Sequence, residues 1–154
     1  MNFAALLVLA LAAVASAVEH PFTSCSANNV LGISSLDFSE DPIVQGDTVT
    51  ATVTGLPTAT VSGGTIEYKV MHGKIKLYGD TVGLCDDPDL LKCPIAADTE
   101  LVISMAAEVP ASLPKATVSV HATFYDEDGN VLSCIDTDVK ITKNKSLRGG
   151  AITN

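Results

Sequence analysis

Short stretches in which apolar and polar residues alternate recur along most of the chain, separated by Gly, Pro, Asp and Asn. In "DTVTATVTG", Val49, Ala51 and Val53 fall on one side of an extended chain and the intervening threonines on the other. A two-residue period is typical of β-strands that bury one face. Because no stretch shows a convincing helical period, the pattern predicts an all-β fold.

The same period predicts further strands, of which an early one, "LGISSLDFS", is irregular. Its apolar residues Ile33 and Leu36 are out of phase by one position, which favours a β-bulge. The Asp-Gly pair in "DEDGN" indicates a β-hairpin turn before the last strand. The apolar positions that we expect to face the interior of the other strands are Ile66, Tyr68 and Val70; Ile75 and Leu77; Leu101, Ile103 and Met105; Val118, Val120, Ala122 and Phe124; and Ile135, Thr137, Val139 and Ile141.

About seven alternating strands with turn residues between them predict a β-sandwich. An immunoglobulin domain usually carries a core Trp against its disulfide, and this chain has no Trp. The sequence therefore predicts the sandwich architecture without the full immunoglobulin pattern.

The first residues, "MNFAALLVLALAAVASA", are apolar and end in a small-x-small motif. This combination predicts a secretory signal peptide at residues 1–17, because the apolar run is too short to cross a bilayer comfortably. We expect a single domain at residues 18–142 and a flexible tail at 143–154, with a glycosylation sequon at Asn144. The predicted location is outside the cell or in the endolysosomal or vacuolar lumen.

The formal net charge of the chain is −9, from 18 acidic and 9 basic residues. Nucleic-acid binding requires a basic surface, so this balance argues against a nucleic-acid partner. It also argues against general adhesion to anionic membranes.

Four cysteines in a secreted chain are most simply two disulfides, for which three pairings exist. A Cys85–Cys93 bond would close a short polar loop, and Cys25 would then join Cys134 across the domain. Zinc is the rival interpretation, with His72 and His121 as further ligands. The seven residues between Cys85 and Cys93 are too many for a usual zinc or redox motif. We therefore expect no metal and no cofactor.

Several motifs occur in an order that resembles the ML lipid-recognition family, which includes a Niemann-Pick type C cholesterol carrier, group 2 mite allergens and fungal phosphatidylglycerol/phosphatidylinositol transfer proteins. The fungal proteins are the most similar in "HGKIKLYGDTVGLC", although this chain lacks the third disulfide of many members. The motifs are Cys25–Ser26, Ile33 with Leu36, "DPIVQGD" at 41–47, "GGTIEYKVMHGKIKLYGD" at 63–80, "LC" at Cys85, "CP" at Cys93–Pro94, "LP" at Leu113–Pro114, and "DEDGNVLSC" ending at Cys134.

The resemblance implies the pairing Cys25–Cys134 with Cys85–Cys93, and an immunoglobulin-like sandwich whose sheets part around a lipid. It implies a lipid carrier rather than an enzyme, and the chain lacks the "G-x-S-x-G" motif of many lipases. The ligand would be a phospholipid, such as phosphatidylinositol or phosphatidylglycerol, or a sterol. A brief contact with a membrane or a membrane lipid acceptor is expected during transfer, and Lys74 and Lys76, or the basic residues near the C-terminus, are candidates for it. A soluble tail on an acidic protein is the favoured interpretation of these charges. We expect a monomer.

For the lipid site we expect small residues (Ala51, Ala107, Ala122) and the flexible Met105 to leave room between the sheets. The Tyr68 hydroxyl is a candidate for contact with a head group or a sterol hydroxyl at the mouth, although such a tyrosine more often bonds a neighbouring carbonyl. The alternation alone favours a solid core, and only the family resemblance favours a pocket, so the alternative is a secreted recognition or adhesion module without lipid cargo. The predicted lining residues are Val49, Val53, Ile66, Tyr68, Val70, Ile75, Leu77, Leu101, Ile103, Met105, Val118, Val120, Phe124 and Val139.

Overall fold

The computed structural model describes residues 17–143, and within this range every regular element is a β-strand. No helix in this range has the length and apolar character needed to cross a membrane. Nearly all of the expected signal peptide, and the tail from Asn144 onward, lie outside the described residues. The strands are β1 (Val18–Glu19), β2 (Thr23–Ser24), β3 (Ile33–Phe38), β4 (Ile43–Val44), β5 (Thr48–Gly55), β6 (Thr65–His72), β7 (Ile75–Gly83), β8 (Leu101–Glu108), β9 (Thr117–Tyr125) and β10 (Val131–Thr142).

The strands form two sheets packed as a sandwich, which confirms the predicted fold class. One sheet has the order β1-β3-β5-β8, and the other has the order β2-β10-β9-β6-β7, with β4 pairing in parallel with β10. The long strands are those that the alternation predicts, and all of them except β7 contain buried residues. β8 and β7 are the last strands of their sheets, so one side of the sandwich is bounded by two free edges.

Three strand pairs within residues 17–143 contain a register shift that alters the phase of the alternation, and the one between β9 and β10 lies at Val131 and Ser133. The bulge expected in β3 is present, as a register shift between Ile33 and Ser35. A second shift in the β6–β7 hairpin pairs Val70 with Tyr78 but Met71 with Lys76, which leaves Leu77 without a partner. The inner-face position therefore moves from Leu77 to Tyr78.

The predicted hairpin turn joins β9 to β10 through Asp126 and the four residues after it. The Asp126 carboxylate accepts hydrogen bonds from the backbone N–H groups of Asn130 at 2.8 Å and Asp128 at 2.9 Å. These bonds, with that of Asn130 the strongest influence, lower the pKa of Asp126. Gly129 has a φ of 82°, which a residue with a side chain adopts only with strain.

The implied disulfide pairing is confirmed, with bonds Cys25–Cys134 and Cys85–Cys93. The first bond ties the segment before β3 to β10, where the Cys25 N–H also donates to the Cys134 carbonyl at 3.0 Å. The second bond closes a loop between β7 and β8, and the Leu90 carbonyl of that loop accepts a bond from the Ser104 N–H of β8. The stapled loop thereby closes one end of the gap between the free edges.

Candidate functional site

Two adjacent voids lie between the sheets, with volumes of about 120 Å³ and about 70 Å³. We call the larger the outer compartment and the smaller the inner compartment. The two compartments share five lining residues at their boundary, which we call the waist: Phe38, Ala51, Tyr68, Met105 and Val120.

The walls come from the inward faces of both sheets together with short connections at the outer end. The outer compartment is also lined by Ile43, Val49, Val70, Tyr78, Ala107, Glu108, Val109, Pro110, Leu113, Val118, Val139 and Ile141. The inner compartment is also lined by Leu36, Val53, Ile66, Ile103, Ala122, Phe124, Ile135 and Thr137.

Small side chains on the neighbouring strands β5 and β8 leave space between the sheets. In the register of these strands, Ala51 pairs with Met105 and Val49 pairs with Ala107. An alanine side chain ends at its Cβ atom and does not reach the opposite sheet, so space remains where a leucine would fill it. The predicted role of Ala51 and Ala107 in leaving room agrees with this geometry.

The structure places most of the predicted lining residues on the walls of the two voids. Leu101 is an exception, because it is fully buried in solid core beyond the inner compartment. Ile75 and Leu77 were also placed wrongly. Ile75 is 67% exposed at the tip of the β6–β7 hairpin, and Leu77 packs on the core without lining either void. The β7 bulge explains the error for Leu77, whereas Ile75 pairs with His72 and is exposed because it lies at the hairpin tip, beyond the walls of the voids. Contact of the remaining residues with a ligand stays a prediction.

Several lining residues were not on the predicted list. Ile43, Val109 and Leu113 lie in a two-residue strand or in connections, where no alternation identifies a buried face. Tyr78 lines the outer compartment only because of the bulge, and Phe38 belongs to the out-of-phase strand β3.

The outer compartment meets solvent between the free edges of the two sheets. Tyr78 of β7 is 40% exposed, and Glu108 at the end of β8 is exposed as well, although both line this void. The mouth therefore lies between β7 and β8, at the end of the gap opposite the stapled loop.

Polar groups are few along the walls. The Tyr68 ring lies 6.0 Å from that of Tyr78, and burial raises the pKa of the Tyr68 phenol above its usual range. The nearby Tyr78 hydroxyl and Asp80 carboxylate raise the pKa of Tyr68 further, so this phenol is neutral at physiological pH. The Thr137 hydroxyl is already engaged, since it donates to the Pro21 carbonyl at 2.7 Å. Among the described residues, neither void is lined by Lys, Arg or His.

This arrangement suits an apolar guest. A void of this size has room for water, but water needs several polar partners, and apolar voids of roughly 150 Å³ stay dry and accept hydrocarbons. The two volumes hold only part of a long hydrocarbon, so a larger guest must displace the side chains at the waist. Met105 is the waist residue best suited to move, because its unbranched side chain has three rotatable bonds.

Comparison with known proteins supplies the family context. The model of the ML domain family matches residues 19–141. A putative phosphatidylglycerol/phosphatidylinositol transfer protein of Dictyostelium discoideum is 29% identical over 140 residues, which cover 88% of this chain and 99% of that protein. The phosphatidylglycerol/phosphatidylinositol transfer protein of Aspergillus fumigatus is 28% identical over 123 residues, covering 77% and 70% of the two chains.

Two solved structures show the same fold. A Niemann-Pick type C2 protein from the Japanese carpenter ant superposes with a TM-score of 0.66 at 20% identity, covering 79% of this chain and 99% of that one. Chicken MD-1, solved in complex with lipid IVa, superposes with a TM-score of 0.50 at 13% identity, covering 79% and 98%.

Proposed function

Because this chain belongs to the ML domain family, we propose that it binds one lipid between its two sheets and carries it between membranes. The observation that carries the proposal is the apolar void that both sheets line and that opens between β7 and β8. A sandwich with the same sequence pattern but a solid interior would have no cavity that a lipid could enter.

The driving force is removal of hydrocarbon from water. Burial of each methylene group contributes about 0.8 kcal/mol, so an acyl chain or a sterol side chain supplies several kcal/mol against the cost of moving the waist residues. Each methylene also fills space that is empty in the lipid-free protein, which adds dispersion contacts.

The proposed ligands are phosphatidylinositol or phosphatidylglycerol, which the names of the relatives mention, or a sterol. The head group or hydroxyl would lie at the mouth, near the hydroxyls of Tyr68 and Tyr78. The described lining residues include no paired nucleophile and base, and we propose a carrier rather than a catalyst.

The β6–β7 hairpin tip is the proposed membrane contact. Ile75 is 67% exposed there, and Lys74 and Lys76 on either side of it are also exposed. An apolar side chain flanked by two cations suits a lipid surface that carries anionic head groups, where each lysine is worth about 1 kcal/mol. We propose that the protein acts as a monomer in an extracellular or endolysosomal lumen, where disulfides persist.

The deciding experiment is native mass spectrometry of the purified protein, followed by organic extraction. We expect a co-purifying lipid, or uptake of a fluorescent sterol or phospholipid by the lipid-free protein at one per chain. Clean protein that accepts neither probe would contradict the proposal and favour a recognition module that has no lipid cargo.

A further inference from the structure

The face of the six-stranded sheet opposite the cavity carries the Cys25–Cys134 disulfide beside an imidazole. The Nε2 atom of His121 lies 3.6 Å from the Cys134 Sγ atom and 3.3 Å from the Thr123 hydroxyl oxygen. Its Nδ1 atom contacts the Asp136 carboxylate. The sulfur atoms of Cys25 and Cys134 and a ring nitrogen of His121 all lie within 4.8 Å of one another.

The strand register assembles this cluster. Val118, Val120 and Ala122 of β9 face the cavity, so His121 and Thr123 point to the other face. Asp136 of β10 pairs directly with His121, and Cys134 pairs with Thr123. The cluster is therefore separate from the lipid cavity and independent of the proposed lipid function.

Hydrogen bonding determines which ring nitrogen faces the sulfur. A carboxylate only accepts hydrogen bonds, so the His121 Nδ1 atom carries the proton that faces Asp136. When Nε2 carries a proton as well, it donates toward the Thr123 oxygen and the Cys134 sulfur. On the other side, β6 pairs Lys69 with His121, and Glu67 neutralises Lys69 at 3.2 Å.

We propose that Cys25–Cys134 is a thiol–disulfide exchange site for small thiols of the glutathione class and for dithiol reductants. Cys25 is exposed, whereas Cys134 is 5% exposed, so an incoming thiolate reaches the Cys25 sulfur. His121 acts as the acid that receives the departing Cys134 sulfur, and Asp136 positions His121.

The proposed exchange conserves electrons and protons. The thiolate of the reductant forms a bond to Cys25 Sγ, the Cys25–Cys134 bond breaks, and its electron pair leaves on Cys134 Sγ. The proton on His121 Nε2 stabilises that thiolate and transfers to it, and His121 regains a proton from solvent. A second thiolate attacks the reductant's sulfur in the mixed disulfide, which releases the oxidised reductant, and Cys25 leaves as a thiolate that takes a proton from solvent. Two thiols are thus oxidised and one disulfide is reduced. Leaving-group stabilisation accelerates this reaction because the rate depends on the stability of the departing thiolate.

The second disulfide, Cys85–Cys93, serves as an internal control because its loop contains no histidine. Between Cys85 and Cys93 the loop carries Asp86, Asp87, Asp89 and Lys92 but no histidine. The rate at which Cys85–Cys93 is reduced therefore measures how well the reductant reaches a disulfide of the folded protein when no imidazole assists the reaction.

The test is reduction of the purified, disulfide-bonded protein by glutathione near pH 6, with alkylation of released thiols and peptide mass spectrometry. We expect His121→Gln to slow cleavage of Cys25–Cys134 by about tenfold and to leave Cys85–Cys93 unchanged. When rates are divided by the glutathione thiolate concentration, the wild-type rate should depend on pH, because the proposed step transfers a proton to Cys134. The rate of the variant should show no such dependence.

Whether the substitution slows or speeds cleavage of Cys25–Cys134 distinguishes a role of His121 in the reaction from a structural role. A variant that merely loosens the fold exposes the disulfide and speeds its reduction, whereas loss of the acid slows it. Asp136→Asn, at a partly exposed position, should slow cleavage in the same direction by a smaller factor, and it provides the test if His121→Gln does not fold. Unchanged or faster cleavage in the folded variant, or a wild-type rate without the pH dependence, would overturn the proposal.

Discussion

The two ends of the sandwich are built from the same long strands, yet one end is solid and the other is hollow. At the solid end Leu31, Leu84 and Leu101 are fully buried, and Val61 and Leu91 are each 3% exposed. At the hollow end, alanines and half-buried residues leave the outer compartment of about 120 Å³. Both interiors are apolar, so polarity does not distinguish them.

The connections make the difference. Leu31, Leu84 and Leu91 lie outside or at the ends of the long strands, and the disulfide-stapled loop presses Leu91 into the core. The connections at the hollow end contribute Val109 and Leu113 to the wall but do not fill the space between Ala51 and Val120. A sandwich is therefore solid or hollow according to what its loops insert between the sheets.

Truncation at the solid end should have the largest effect. We expect Leu101→Ala to lower the free energy of unfolding by about 2–5 kcal/mol, because it creates a cavity among packed neighbours. Met105→Ala at the waist should cost much less, since its side chain already borders empty space. Urea unfolding of both variants measures the contrast, and equal losses would show that the two regions are packed alike.

Removal of positive charge from the hairpin tip should weaken membrane contact. The double variant Lys74→Gln and Lys76→Gln should lose about 2 kcal/mol of binding to vesicles that contain phosphatidylserine, at about 1 kcal/mol for each lysine. Vesicle sedimentation at low salt measures the loss. Lys92→Gln, in the stapled loop at the solid end, is the matched control, and an equal effect per lysine would show that the tip has no special role.

A large side chain at the waist should block the cavity. Val120→Trp should reduce uptake of a fluorescent lipid by about tenfold or more, equivalent to about 1.4 kcal/mol, while the protein stays folded. In a tightly packed core the same change would cost about 1–3 kcal/mol of stability. Thr117→Trp, at an exposed position of the same strand, is the control. Normal uptake by Val120→Trp would show that the ligand does not pass the waist.

The smallest expected effect concerns the Tyr68 hydroxyl. The unfolded chain ionises this tyrosine near pH 10, whereas burial raises the pKa of Tyr68 in the folded protein. The folded state thus retains a proton that the unfolded state loses, and stability falls as pH rises above about 10. Tyr68→Phe should make that fall shallower in unfolding measured from pH 9 to pH 11. An identical slope would show that Tyr68 ionises alike in both states.

Alternation predicted the strands and most of the cavity wall because a period of two is a local property of an extended chain. Val49, Val53 and Val120 could be assigned to the inner face without knowledge of their neighbours. The bulge in β7 could not be assigned in this way, because it arises from pairing with β6 and carries no residue signature. Tyr78 was missed and Leu77 misplaced for that reason.

The sequence by itself determined the all-β class, the long strands and the inward residue of most positions, because these follow from side-chain chemistry at a fixed period. Its four cysteines and the resemblance they carry also determined the disulfide pairing. Only the tertiary structure decided that the interior is hollow at one end. An empty volume depends on how far apart the two sheets lie and on how much of the space between them the side chains fill. The same holds for His121, whose place beside Cys134 depends on the register between β9 and β10.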